Sequence, residues 1–213
     1  WIGPVFGPRL TAALGEIKAR LDPKGLMNPG KIVDPPRMDD ARLFRFPPGY
    51  ATRAPAPALD WSEWGGFAKA VEMCNNNGHC RKFDAGTMCP SYRVTRDEQH
   101  LTRGRANTLR LALSGQLGPE GLASEPVRQA LDLCVSCKGC KRDCPTGVDM
   151  ARMKVEFLHH WHGRHGRSLK DRLVGSLPDY ARHAARLAPL LNLRNRIPLL
   201  ARLGERLLGL AAG

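Results

Sequence analysis

The 213 residues carry 33 Lys and Arg against 20 Asp and Glu, a formal charge of +13, with 42% hydrophobic and only 6% aromatic residues. That hydrophobic fraction excludes a wholly disordered chain. The lack of any run of about 18 uncharged apolar residues argues against a membrane-spanning helix. Beginning at Trp1 with no leader pattern, the chain reads as a piece of something longer, with room for one core or two small ones.

The first predicted element is a helix over residues 9–21, where Leu10, Ala13, Leu14, Ile17 and Leu21 fall at helical spacing. The Pro- and Gly-rich stretch from Asp22 stops it. Residues 34–60 hold six prolines and little periodicity, as expected of an extended linker. Phe67, Ala70, Val71 and Cys74 then recur at i, i+3, i+4 and i+7, and Val127, Ala130, Leu131 and Cys134 repeat the pattern. Residues 100–113 form another amphipathic helix, and Met150, Met153, Phe157 and Trp161 line one face of a further one. From Leu169 the chain is rich in Leu, Arg and Ala, with breaks expected near Pro178, Pro189 and Pro198. No alternating strand pattern stands out, so the class is mainly α.

The seven cysteines all lie between 74 and 144. An odd, clustered set is unlike a disulfide framework and points to metal in a reducing, cytoplasmic compartment. The second group reads Cys134-x2-Cys137-x2-Cys140-x3-Cys144-Pro145, the bacterial-ferredoxin run for a 4Fe–4S cluster. Three thiolates spaced by two residues wrap three iron corners. The fourth, ahead of the fixed proline, reaches away toward a neighbouring cluster. Structural zinc is the competing reading, but its motifs usually pair two separated CxxC units.

The first group, Cys74-x5-Cys80-x8-Cys89-Pro90, overlays the second when shifted by 60 residues. Cys74 falls on Cys134 and Cys80 on Cys140. Cys89 corresponds to Cys144 after a longer insertion, and Asn77 stands opposite Cys137. This reads as a duplicated two-cluster module with one ligand position lost. Crossed ligation assigns Cys134, Cys137, Cys140 and Cys89 to one cluster, and Cys74, Cys80 and Cys144 to the other. The second cluster is then 3Fe–4S, or a 4Fe–4S cluster whose last corner is held by Asn77, His79, water or an outside residue. A vestigial first group that binds nothing is the remaining alternative. Arg81, Lys82, Lys138, Lys141 and Arg142 flank the groups, either as counter-charges to an anionic cluster or as solvated charge. Arg103 and Arg105, at the start of a helix, have a cluster, a carboxylate or backbone carbonyls as alternative partners.

These residues carry a family resemblance. LDPKGLMNPGKIVDPPRMDD, residues 21–40, resembles the closing segment of the FAD-linked oxidase C-terminal domain. The stretches around Cys74–Cys89 and Cys134–Cys144 are similar to the iron–sulfur module fused behind it in bacterial D-2-hydroxyacid dehydrogenases of the D-lactate, glycolate and D-2-hydroxyglutarate class. The resemblance implies an α-helical ferredoxin-like two-cluster module carrying electrons from an FAD domain to a quinone or protein acceptor. A further cysteine-rich domain would follow. It also implies that the catalytic and substrate-binding residues lie outside this chain, and that Asn28 and Lys31 are the polar candidates for a flavin edge.

The domains expected are a flavoprotein remnant (1–33), the linker (34–60), the iron–sulfur module (61–165) and a basic helical tail (166–213). The tail either docks on the further domain or touches anionic lipid at the inner membrane face. His159, His160, His162 and His165 form a polar helix end or a second metal site. No phosphate-binding loop or catalytic triad is present. Two other classes compete: a stand-alone iron–sulfur carrier subunit, for which residues 1–33 would be superfluous, and a basic zinc protein binding nucleic acid. Counting two anionic clusters lowers the net charge to about +10, which weakens the nucleic-acid reading.

Overall fold

The computed structural model describes residues 2–86 and 88–209, the side chains of residues 43 and 195 excepted. Every regular element among them is helical, and the chain divides after Ala51 into two units.

In the first unit, α1 (Ile2–Leu21) begins earlier than the periodicity indicates and kinks at Gly7, whose φ of 74° only glycine adopts without strain. Asp22 closes the helix. Its carboxylate accepts from the Leu26 and Met27 N–H groups at 2.9 Å each and pairs with Lys18. These donors, Lys18 foremost, hold the Asp22 carboxyl down at about 2. The segment Asp22–Met27 is thus a hydrogen-bonded turn.

The second unit contains α2 (Phe67–Glu72), α3 (Pro90–Thr95), α4 (Thr102–Leu113), α5 (Glu125–Asp132), α6 (Gly139–Asp143) and α7 (Met150–His165). The amphipathic α4 packs between α2 and α5, and α7 closes over it. Their apolar faces, with Phe67, Val71, Leu109, Val127, Leu131 and Phe157 among them, form one core. Each fully buried side chain of this size contributes about 1.5–3 kcal/mol. Gly104 lets the first turn of α4 lie on the preceding backbone, since a Cβ there would stand 2.0 Å from the Glu98 carbonyl oxygen.

The proline-rich stretch is less free than a linker. Its end is clasped by Glu156 of α7, which is 0% exposed. The carboxylate accepts from the Ala58 and Leu59 N–H groups (2.8 and 3.0 Å) and from the Trp61 indole (2.9 Å), and meets His160 at 3.0 Å. Burial alone would push this carboxyl up, but the four donors together hold it below its usual range.

Beyond α7 come α8 (Leu169–Gly175), α9 (Leu177–Arg186), α10 (Ala188–Leu191), α11 (Leu193–Arg196) and α12 (Pro198–Leu208). The breaks expected near Pro178, Pro189 and Pro198 fall just before them, and each proline sits in the first turn of the next helix. Leu190, Leu199, Leu203 and Leu207 of this tail are exposed.

Candidate metal centre

The two cysteine loops have the same backbone. After α5, the chain from Cys134 to Cys140 passes through left-handed conformations at Ser136 (φ 53°) and Lys138 (φ 58°). After α2, Asn76 (φ 64°) and Gly78 (φ 78°) do so at the positions 60 residues earlier. Non-glycine residues enter this region only when something holds them there. In the first loop that is a set of side-chain caps. The Asn77 Oδ1 accepts from the His79 N–H at 2.8 Å, and Asn75 accepts from the Asn77 side chain at 2.6 Å.

Cys89, Cys134, Cys137 and Cys140 line a single cavity. Cys89 reaches it from the other repeat, itself left-handed (φ 53°) and followed by Pro90, which opens α3. At the start of α4, the Thr102 N–H donates to the Cys89 sulfur at 3.0 Å, and the Thr102 hydroxyl lies 3.1 Å away. The next N–H, of Arg103, serves Cys80. At the start of α7, the Met150 and Ala151 N–H groups serve Cys140. Two helix N-termini, each positive by its macrodipole, are therefore turned on sulfur. Cys80 lies within electrostatic reach of both Cys74 and Cys89, and the Cys144 sulfur meets the Thr146 hydroxyl at 3.3 Å.

Burial pushes the Cys80 thiol up to about 11, and raises Cys89 and Cys140 as well, against the pull of these N–H donors. These thiols are protonated at neutral pH in the metal-free chain, so thiolate ligation releases protons.

Among the described residues, no three His, Cys, Asp or Glu side chains converge as a site for a single ion. A cubane separates its ligands, so thiolates that ring a cavity suit it better than thiolates that meet at a point. The donor set fits: four sulfurs, N–H groups aimed at two of them, and no carboxylate in the lining. Cys134, Cys137, Cys140 and Cys89 would hold such a cluster.

The flanking cations resolve into different roles. Arg81 pairs with Glu98 (2.9 Å), Lys82 with Asp84 (3.9 Å), Lys141 with Asp149 (3.5 Å) and Arg142 with Asp143 (2.8 Å), while Lys138 lines the cavity. Arg103 pairs with Glu98 at 2.5 Å. Arg105 is buried, donating to the Ala130 carbonyl and the Ser91 hydroxyl at 2.8 Å each. Lys154, which sequence reasoning passed over, donates to the carbonyls of Asp132 (3.2 Å) and Cys134 (2.6 Å). Both lie on the apolar face of their helix, and a cation there was the available clue. The histidines of 159–165 do not converge. His160 bonds Glu156, His162 faces Asp171 at 3.6 Å, and His165 stacks on Trp161 at 3.9 Å.

Residues 70–148 match the model of the 4Fe-4S dicluster domain, and residues 1–32 that of the C-terminal domain of FAD linked oxidases. The helical fold and the cysteine-lined cavity thus agree with a 4Fe-4S dicluster segment, which follows in sequence a short segment similar to the end of an FAD linked oxidase domain. The chain is 29% identical to the D-2-hydroxyglutarate dehydrogenase of Escherichia coli (strain K12), over 96% of this chain and 23% of the relative. It is 32% identical to that of Pseudomonas putida (strain KT2440), over 82% of this chain and 20% of the relative. It is 30% identical to the "Probable glycolate oxidase iron-sulfur subunit" of Bacillus subtilis (strain 168), over 40% of this chain and 19% of that protein. Its two segments are thus similar, in sequence order, to the end of an FAD linked oxidase C-terminal domain and to a 4Fe-4S dicluster domain, as in these relatives. It spans about a fifth of the length of the curated relatives it matches. No solved structure matches it significantly.

Proposed function

We propose that this chain is the electron-carrying segment of a flavin-dependent D-2-hydroxyacid dehydrogenase, with two cross-ligated cluster sites. Cys134, Cys137, Cys140 and Cys89 form the four-thiolate site. Cys74, Cys80 and Cys144 form a three-thiolate site that takes a 3Fe–4S or an incompletely ligated 4Fe–4S cluster. The observation that carries this reading is the cavity shared by Cys89 of one repeat and Cys134, Cys137 and Cys140 of the other. Iron–sulfur clusters supply one-electron carriage, which suits a path from a two-electron flavin oxidation to a quinone or protein acceptor.

The chain's own part is positional. The N-termini of α4 and α7 present N–H donors to Cys89, Cys80 and Cys140. The buried core between α2, α4, α5 and α7 holds the two loops in fixed register and keeps water from three of the first group's thiols. Asn77 caps its own loop with its side-chain oxygen, which supports the three-thiolate assignment.

The partners proposed are a flavin domain of the kind that residues 1–32 would close, and a further domain seated on the tail. The exposed leucines of α10 and α12 support docking there. No helix among the described residues is long and apolar enough to cross a membrane.

Anaerobic reconstitution with iron and sulfide tests the reading. The expected product holds about seven or eight irons per chain and a visible absorbance that dithionite bleaches. A chain that takes up only zinc would overturn it.

A further inference from the structure

Among the described residues, Arg105 is a buried charge with no carboxylate hydrogen-bonded to it or paired with it. It is 2% exposed, and both of its acceptors, the Ala130 carbonyl and the Ser91 hydroxyl, are neutral. A guanidinium taken out of water without an opposite charge is costly to a fold. The opposite charge at hand is sulfur. Arg105 lines the same cavity as Cys89, Cys134 and Cys140, and its charge favours the Cys89 thiolate. Lys154 approaches from α7, half-buried, donating to the carbonyls of Asp132 and Cys134, with the Cys134 sulfur and the exposed Asp132 carboxylate both favouring its charge.

The other half of the module lacks this arrangement. Arg103 at the second position of α4 serves Cys80, as Ala151 at the second position of α7 serves Cys140. In that register Arg105 corresponds to Met153 and Lys154 to Ala106, both apolar and buried. Arg103 and Arg81, both within electrostatic reach of Cys80, are answered by Glu98, at 2.5 and 2.9 Å. Among the described residues, a buried cation without a carboxylate partner, Arg105, therefore stands at one of the two sites, with the half-buried Lys154 within electrostatic reach of it.

We propose that Arg105, assisted by Lys154, is the fixed counter-charge of the Cys89–Cys134–Cys137–Cys140 site and raises its reduction potential. A fixed positive charge in a medium of low dielectric favours whichever state of a neighbour carries one more electron. Arg105 is a positioning residue in this account. It acts through the field and through the bond that ties α4 to the end of α5. The inference rests on that site holding an iron–sulfur cluster.

The test is an EPR-monitored redox titration of the reconstituted full chain, with iron and sulfide content measured alongside. Arg105→Gln keeps its iron and shifts the reduction equilibrium about tenfold toward the oxidised form, which is about 59 mV for a one-electron couple. Arg105→Lys, which keeps the charge, stays close to the parent, and Lys154→Met shifts in the same direction by less. An unmoved potential in an iron-loaded Arg105→Gln chain overturns the inference and leaves the cluster reading intact. So does an equal shift in Arg105→Lys, because packing rather than charge would then be at work. If Arg105→Gln holds no iron, Lys154→Met decides, and an unmoved potential there overturns the inference. A parent chain with no iron–sulfur signal overturns the cluster reading itself.

Discussion

The two cysteine repeats share a backbone and differ in what they do with it. Both loops turn through left-handed residues at matching places, Asn76 and Gly78 in the first, Ser136 and Lys138 in the second. Both follow a helix that buries the same three apolar positions: Phe67, Ala70 and Val71, then Val127, Ala130 and Leu131. Yet the first loop caps itself with Asn77, whereas the second presents Cys137 at the matching, equally exposed position. The buried Arg105, whose acceptors are neutral, also lines the Cys89–Cys134–Cys137–Cys140 cavity. The same loop shape is thus held in the first repeat by side-chain caps from Asn75 and Asn77.

The largest expected effect comes from exchanging that one position between repeats. Cys137→Asn converts the four-thiolate site into a three-thiolate one, and Asn77→Cys completes the other. Iron analysis with EPR should show the first variant losing iron or gaining an oxidised three-iron signal, and the second moving the opposite way. Equal spectra for both variants and the parent would mean that the difference between the repeats has no chemical consequence.

A smaller effect concerns the clasp that α7, behind the second repeat, makes on the segment leading into the first. Glu156→Ala leaves the Ala58, Leu59 and Trp61 donors unanswered, at about 1–3 kcal/mol for each that stays buried. Glu156→Gln keeps one acceptor oxygen and costs less. Urea unfolding of the pair checks this, and equal midpoints would show that the clasp is not needed.

The smallest effect concerns the tail. With docking on a protein domain as its role, the chain should sediment no more with anionic vesicles than with neutral ones. Retention on anionic vesicles alone would reassign the basic face to lipid.

The helices and the repeat were legible because both are written in spacing. Phe67 to Cys74 and Val127 to Cys134 state the same period twice, and the ferredoxin run states its own chemistry. What was not legible depends on contacts distant in sequence. Residues 34–60 read as an extended linker that wraps a surface or joins two modules, and nothing local reveals that Glu156, nearly a hundred residues away, holds Ala58, Leu59 and Trp61. Arg105 was noticed but could not be placed among three partners, since its acceptors Ser91 and Ala130 come from separate helices. Lys154 was missed because a lysine on an amphipathic helix ordinarily reads as solvated. The N–H donors at the starts of α4 and α7 are backbone groups and leave no mark in the residue types.

Crossed ligation is the claim on which the rest depends, and Cys89 is the residue that tests it. Single Cys89→Ser, Cys134→Ser and Cys74→Ser chains, reconstituted together and compared by EPR, give the direct measurement. The account predicts that Cys89→Ser perturbs the same signal as Cys134→Ser and leaves the one lost in Cys74→Ser in place. A Cys89→Ser spectrum matching that of Cys74→Ser instead would contradict it.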